Sequence, residues 1–99
     1  MIDLYTADLL PDDPQQQARM MERSVLTSLF QTLGDVETLP VARELQAYAK
    51  YLQPWHQEKF EQTEKGSKAF AYHQFFLQVA QATNTKVLLR LCNQVKYQR

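Results

Sequence analysis

Two histidines, His56 and His73, one cysteine, Cys92, and a run of glutamates, Glu58, Glu61 and Glu64, are the residues of this 99-residue chain whose side chains could bind metal or move protons. None of them is spaced for it. A metal centre on helices needs paired ligands such as C-x-x-C or H-x-x-x-H, and a carboxylate-bridged site needs Glu-x-x-His. Neither pattern occurs, so Glu58, Glu61 and Glu64 read as a solvated acidic face and no metal is expected. The only glycines are Gly34 and Gly66, and both fall where helices should end. No loop can therefore bring backbone N–H groups close around a phosphate. Ser24 and Ser28 lie inside a helical pattern and Ser67 lacks a nucleophile-elbow context. With no nucleophile, base and oxyanion donors to assemble, the expectation is a protein that is not an enzyme and carries no cofactor.

His73 is the exception to this blandness, because it projects between Phe76, Leu77 and Ala80 on an apolar helical face. A neutral imidazole in such a place must put its N–H on an acceptor, or its burial is costly. It reads as a satisfied core histidine or as the mark of an interface that opens on acidification. Cys92 falls on a buried stripe and reads as packing.

The element that must position these groups is the segment 67–83, SKAFAYHQFFLQVAQAT. At 100° per residue Ala69, Ala71, Tyr72, Phe75, Phe76, Val79, Ala80 and Ala82 cover most of the wheel, and only Gln74, Gln78 and Gln81 form a polar strip. No charged residue occurs from Ala69 to Thr85. A helix so apolar belongs inside a molecule, with others around it.

Those others follow from caps and periodicity. Asp13 is an N-cap candidate ahead of Pro14, with Gln16 placed to reach back. Ala18, Met21, Val25, Leu29 and Phe30, flanked by Leu26 and Leu33, make one apolar face that Gly34 should close as a C-cap. Residues 35–38 read as an acidic connection, and Pro40 as the first turn of a second helix that ends near Gln53 and buries Val41, Leu45, Tyr48 and Leu52. Pro54 separates a short charged helix, 55–65, ended by Gly66. Thr83, Asn84 and Thr85 break the chain before a last helix, 86–97, with Leu88, Leu91, Cys92 and Val95 on one stripe. The predicted fold is all-α: one domain of four to five helices, residues 13–99, around the apolar helix 67–83, preceded by an arm of residues 1–12 that docks on its own core or on a partner.

Composition agrees with a folded helical domain: 44% hydrophobic, 22% charged, two glycines and no net charge. A single cysteine fits a reducing compartment. No secretory signal and no run of about 18 apolar residues is visible, so a cytoplasmic protein without a membrane span is expected. Residues 1–49 hold eight acids against three arginines, while residues 50–99 hold eight Lys and Arg against three glutamates. Either the halves interleave on one surface, or the molecule is bipolar and offers a basic face to an acidic partner.

Two binding readings remain. In the first the protein is a small non-catalytic adaptor or subunit that binds another protein or itself as a homodimer. Its contacts are Arg19 and Arg23, one turn apart and able to grip a carboxylate or phosphate, with Tyr48, Tyr51 and Trp55, which align at helical spacing if the chain runs straight through Pro54. In the second, nucleic-acid phosphates meet Lys86, Arg90, Lys96 and Arg99, a cluster with no acidic residue after Glu64. Zero net charge weighs against the second, as does a poor helix-turn-helix match over residues 76–95, where Arg90 replaces a buried aliphatic. No small-molecule substrate is indicated.

Overall fold

Two prolines, two positive-φ glycines and a handful of side-chain caps divide the described residues into five helices. A computed structural model describes residues 13–98, and the arm of residues 1–12 and Arg99 lie outside the described residues. The elements are α1 (Pro14–Phe30), α2 (Gly34–Tyr51), α3 (Gln53–Gln62), α4 (Lys68–Gln81) and α5 (Thr85–Gln98). Among the described residues there is no strand, and no helix is long and apolar enough to cross a membrane. The fold is an all-α bundle around the apolar helix α4, which packs on α2, α3 and α5, while α2 touches all four other helices. The strip of Gln74, Gln78 and Gln81 faces solvent.

The caps explain most boundaries. Asp13 accepts a hydrogen bond from the Gln15 amide at 3.0 Å, and Pro14 occupies the first turn of α1, where its missing N–H costs nothing. Ser67 accepts from the Phe70 amide at 3.1 Å after Gly66, which turns the chain at φ +87. Asn84 accepts from the Val87 amide at 2.9 Å and starts α5. The open end of α4 is closed from outside. Gln46 of α2 donates to the carbonyls of Val79 at 3.1 Å and Ala82 at 2.9 Å.

The junction of α1 and α2 departs from expectation. α1 ends at Phe30, and Gly34 opens α2 instead of capping α1. Its φ of +74 reverses the chain, and a Cβ there would meet no other atom, so the position asks only for conformational freedom. Residues 35–38 are helical, and Pro40 lies inside α2. A dense set of local bonds ties down the start of α2. Glu37 accepts from the Leu33 amide at 2.8 Å, the Thr38 hydroxyl donates to the Gly34 carbonyl at 2.7 Å, and the Thr32 hydroxyl donates to the Leu29 carbonyl at 2.7 Å. Thr38 is fully buried, and its oxygen also lies 3.0 Å from the Thr32 hydroxyl and accepts from Lys96 of α5 at 3.0 Å. Thr38→Val keeps the shape but strands these partners. Denaturant unfolding should show a loss of about 1–2 kcal/mol with an unchanged slope.

Two stripes are rotated from those anticipated. On α1 the buried residues are Ala18, Glu22, Val25 and Leu29, while Met21 and Leu33 are exposed. On α2 they are Thr38, Ala42, Leu45 and Ala49, with Val41 and Tyr48 half-buried. The small alanines let α2 approach its neighbours closely, which suits the helix that contacts every other. Val25, Leu29, Ala42, Leu45 and Ala49, together with Phe76, Val79, Ala80, Leu88 and Cys92, form the core. Burial pushes the Cys92 thiol up to about 11, so it stays protonated and packs as an apolar group.

A buried Glu–His–His chain beneath a basic groove

The bend between α2 and α3 places the first histidine. Leu52, almost fully buried at φ −92 and ψ 6, joins the two helices, and Pro54 follows in the first turn of α3. One turn beyond Leu52, His56 therefore points inward, and its ring has no solvent exposure. On α4, His73 lies one turn before Leu77 and only 8% exposed, on the apolar face where its sequence position put it. Glu22 comes from the buried stripe of α1 and is likewise sealed from solvent.

These three side chains form a linear hydrogen-bonded chain across three helices. His56 Nε2 lies 2.9 and 3.0 Å from the two Glu22 oxygens. His56 Nδ1 lies 2.9 Å from His73 Nδ1. Because a carboxylate only accepts, Nε2 of His56 is a donor, and the two Nδ1 atoms share one proton between them. His73 thereby finds the acceptor that its burial demands. The rings are held by aromatic neighbours: Phe76 stacks on His56 at 4.9 Å and 11°, and Trp55 meets both imidazoles edge-on at 4.9 and 5.1 Å. Burial first, then the charges of His56 and Lys59, holds His73 below the usual histidine value of 6.5.

A groove opens directly above. Gln16, Arg19, Met20 and Arg23 of α1 line it together with Trp55 of α3. The Arg19 guanidinium lies 4.7 Å from the Trp55 ring centre, and its Nε, shielded from water, has no hydrogen-bond acceptor among the described residues. Arg23 donates to the Tyr72 hydroxyl, whose pKa burial raises. Among the described residues the lining carries two cations and no acid, and Glu22 is turned inward to His56. At about 240 Å³ the groove is below the roughly 300 Å³ at which small-molecule sites begin, and it suits one or two inserted side chains.

Of the five residues expected to bind protein, Arg19, Arg23 and Trp55 come together here. Tyr48 and Tyr51 line a separate groove on the other flank of α1, with Pro14, Gln17, Ala18 and Met21. The straight run from Tyr48 to Trp55 fails because the helix ends at Tyr51 and Leu52 turns the chain. In the basic set Lys86 and Arg90 are exposed on α5, Lys96 is turned to the Thr38 hydroxyl, and Arg99 lies outside the described residues. Of the three described, Lys86 and Arg90 are free to meet a partner, and Lys96 is engaged within the fold.

Glu22 and His56 were missed as partners. The available signal is register: Glu22 stands at i+4 from Ala18 and i−3 from Val25, and His56 at i+4 from Leu52. Among the described residues no group of three His, Cys, Asp or Glu side chains is arranged to hold a metal ion. No protein-family model, no curated protein and no solved structure matches the chain.

Proposed function

We propose that the protein is a small non-catalytic adaptor that uses the groove between α1 and α3 to bind an acidic, apolar-anchored segment of another protein. One observation carries this reading. Arg19 lies over Trp55 with a water-shielded Nε that has no acceptor among the described residues, beside the exposed Met20 and a second arginine. A buried N–H without an acceptor is costly, and a carboxylate arriving in the groove removes that cost with a charge-assisted bond. Tryptophan, arginine and methionine are the side chains that dominate protein interfaces. The two arginines in the lining favour an acidic partner.

A synthetic amphipathic peptide of aspartate and leucine at helical spacing tests this, because Trp55 is the chain's single tryptophan and reports from the groove wall. At pH 7.5 its emission should change saturably, with a dissociation constant no weaker than about 100 μM. Arg19→Ala/Arg23→Ala should weaken binding roughly tenfold or more. No saturable change, or equal binding by the double variant, would sink the reading. The competing reading, phosphate contact through the basic C-terminal half, retains exposed Lys86 and Arg90 but has Lys96 engaged elsewhere. A gel shift that Lys86→Glu/Arg90→Glu abolishes while the peptide fails to bind would favour it.

A further inference from the structure

We propose that this groove is gated by protons, the Glu22–His56–His73 chain acting as a store that accepts one added proton and is broken by the next. The proposal rests on the adaptor reading for what the groove binds, but its structural half concerns the free protein.

Hydrogen-bond counting supplies the mechanism. With both imidazoles neutral, His56 Nε2–H donates to Glu22 and His73 Nδ1–H donates to His56 Nδ1. Add one proton, and His56 donates from both nitrogens, to Glu22 and to His73 Nδ1, while His73 carries its hydrogen on Nε2. Every bond survives. Add another, and both Nδ1 atoms carry hydrogens, so two donors on two cations face each other across 2.9 Å. That arrangement cannot persist, and α3 and α4 must separate at this point.

Other charges in contact with the chain reinforce the limit. Lys59 of α3 acts on His73, Arg23 and Glu22 act on Tyr72 of α4, and Arg19 of α1 covers Trp55. Among the described residues Glu22 is the acid hydrogen-bonded to the imidazole chain, and its bonds go to His56. His73, held below 6.5, leaves the unfolded chain to take up the proton first as pH falls through that value. Stability contributed by the neutral ring is therefore complete above 6.5 and declines below it, down to the folded-state value. Trp55 transmits the event, since it touches both imidazoles and forms the groove's wall under Arg19.

The test titrates Trp55 emission of the free protein from pH 8 to 4.5, with helix content followed in parallel. Wild type should show a step with its midpoint below 6.5 while helix content holds, and His73→Gln should lack the step. A flat titration up to the onset of unfolding, or the same step in His73→Gln, would overturn the gate. Should that variant not fold, the two imidazole C2–H resonances of the wild type decide the matter. The lower-titrating one must move together with Trp55 emission, and separate midpoints would contradict the proposal. In a second arm, affinity for the aspartate–leucine peptide should fall about tenfold between pH 7.5 and 5.5. No binding at either pH removes the adaptor reading, whereas equal binding at both removes the gate.

Discussion

His56→Leu is expected to destabilise the protein by about 3–5 kcal/mol, measured by denaturant unfolding at neutral pH. The leucine fills most of the space of the ring, so the loss does not come from a cavity. It comes from Glu22, left in a site with no solvent exposure and no remaining donor among the described residues, and from His73, whose Nδ1 loses its partner. Removing one member of a buried charged network leaves the others uncompensated, while removing all of them does not. The triple variant Glu22→Leu/His56→Leu/His73→Leu should therefore recover much of the loss, ending nearer wild type than the single variant. Glu22→Gln, which still accepts from His56 Nε2–H, should cost less than His56→Leu.

Phe76→Ala should cost about 3–5 kcal/mol, the range for truncating a fully buried phenylalanine. Phe76 has no exposure, lies flat on the His56 ring and receives the edges of Tyr72 at 4.9 Å and Phe75 at 5.1 Å. It stands in the core and also forms one wall of the Glu–His–His chain. Its loss should thus be felt in both. Thermal or denaturant unfolding of Phe76→Ala, His56→Leu and the double variant should give a total different from the sum of the two, since residues in contact couple. Strict additivity would mean that the stack contributes nothing beyond ordinary packing.

Much of this architecture was legible in the chain. The charge-free run from Ala69 to Thr85, the Asp13–Pro14 start, the Gly66–Ser67 boundary and the stripe carrying Cys92 each correspond to a single dominant preference, and each is found. The demand that His73 have an acceptor was legible too. What resisted were positions where two preferences compete. Met21 and Glu22 both fit the spacing of Ala18, Val25 and Leu29, and hydropathy alone selects Met21. The imidazole 34 residues away reverses that choice, a contact invisible to local pattern. Gly34 fits the end of one helix or the start of the next equally well. The decision lies with Thr32, Glu37 and Thr38, whose side chains bond the backbone around the start of α2. Tyr48, Tyr51 and Trp55 share a face only on a straight helix, and the bend at Leu52 divides them between two grooves.

The chain also accounts for how function and stability share residues. A buried Glu–His–His array is a weak source of net stability compared with apolar side chains of the same volume, because each polar group is first stripped of water. Its value lies in what it fixes: the relative position of α1, α3 and α4, and with it the wall of the groove that carries Arg19 and Trp55. The apolar core formed by α1, α2, α4 and α5 supplies the stability that this arrangement does not.

The most direct test of the account is the protonation of the His56 ring, read from imidazole ¹⁵N shifts and long-range ¹⁵N–¹H couplings on histidine-labelled protein near pH 7.5. The arrangement described predicts a proton on Nε2 of His56 that exchanges slowly with water and a hydrogen bond between the two Nδ1 atoms. Two rapidly exchanging imidazoles, each averaging between tautomers as in an exposed histidine, would contradict it.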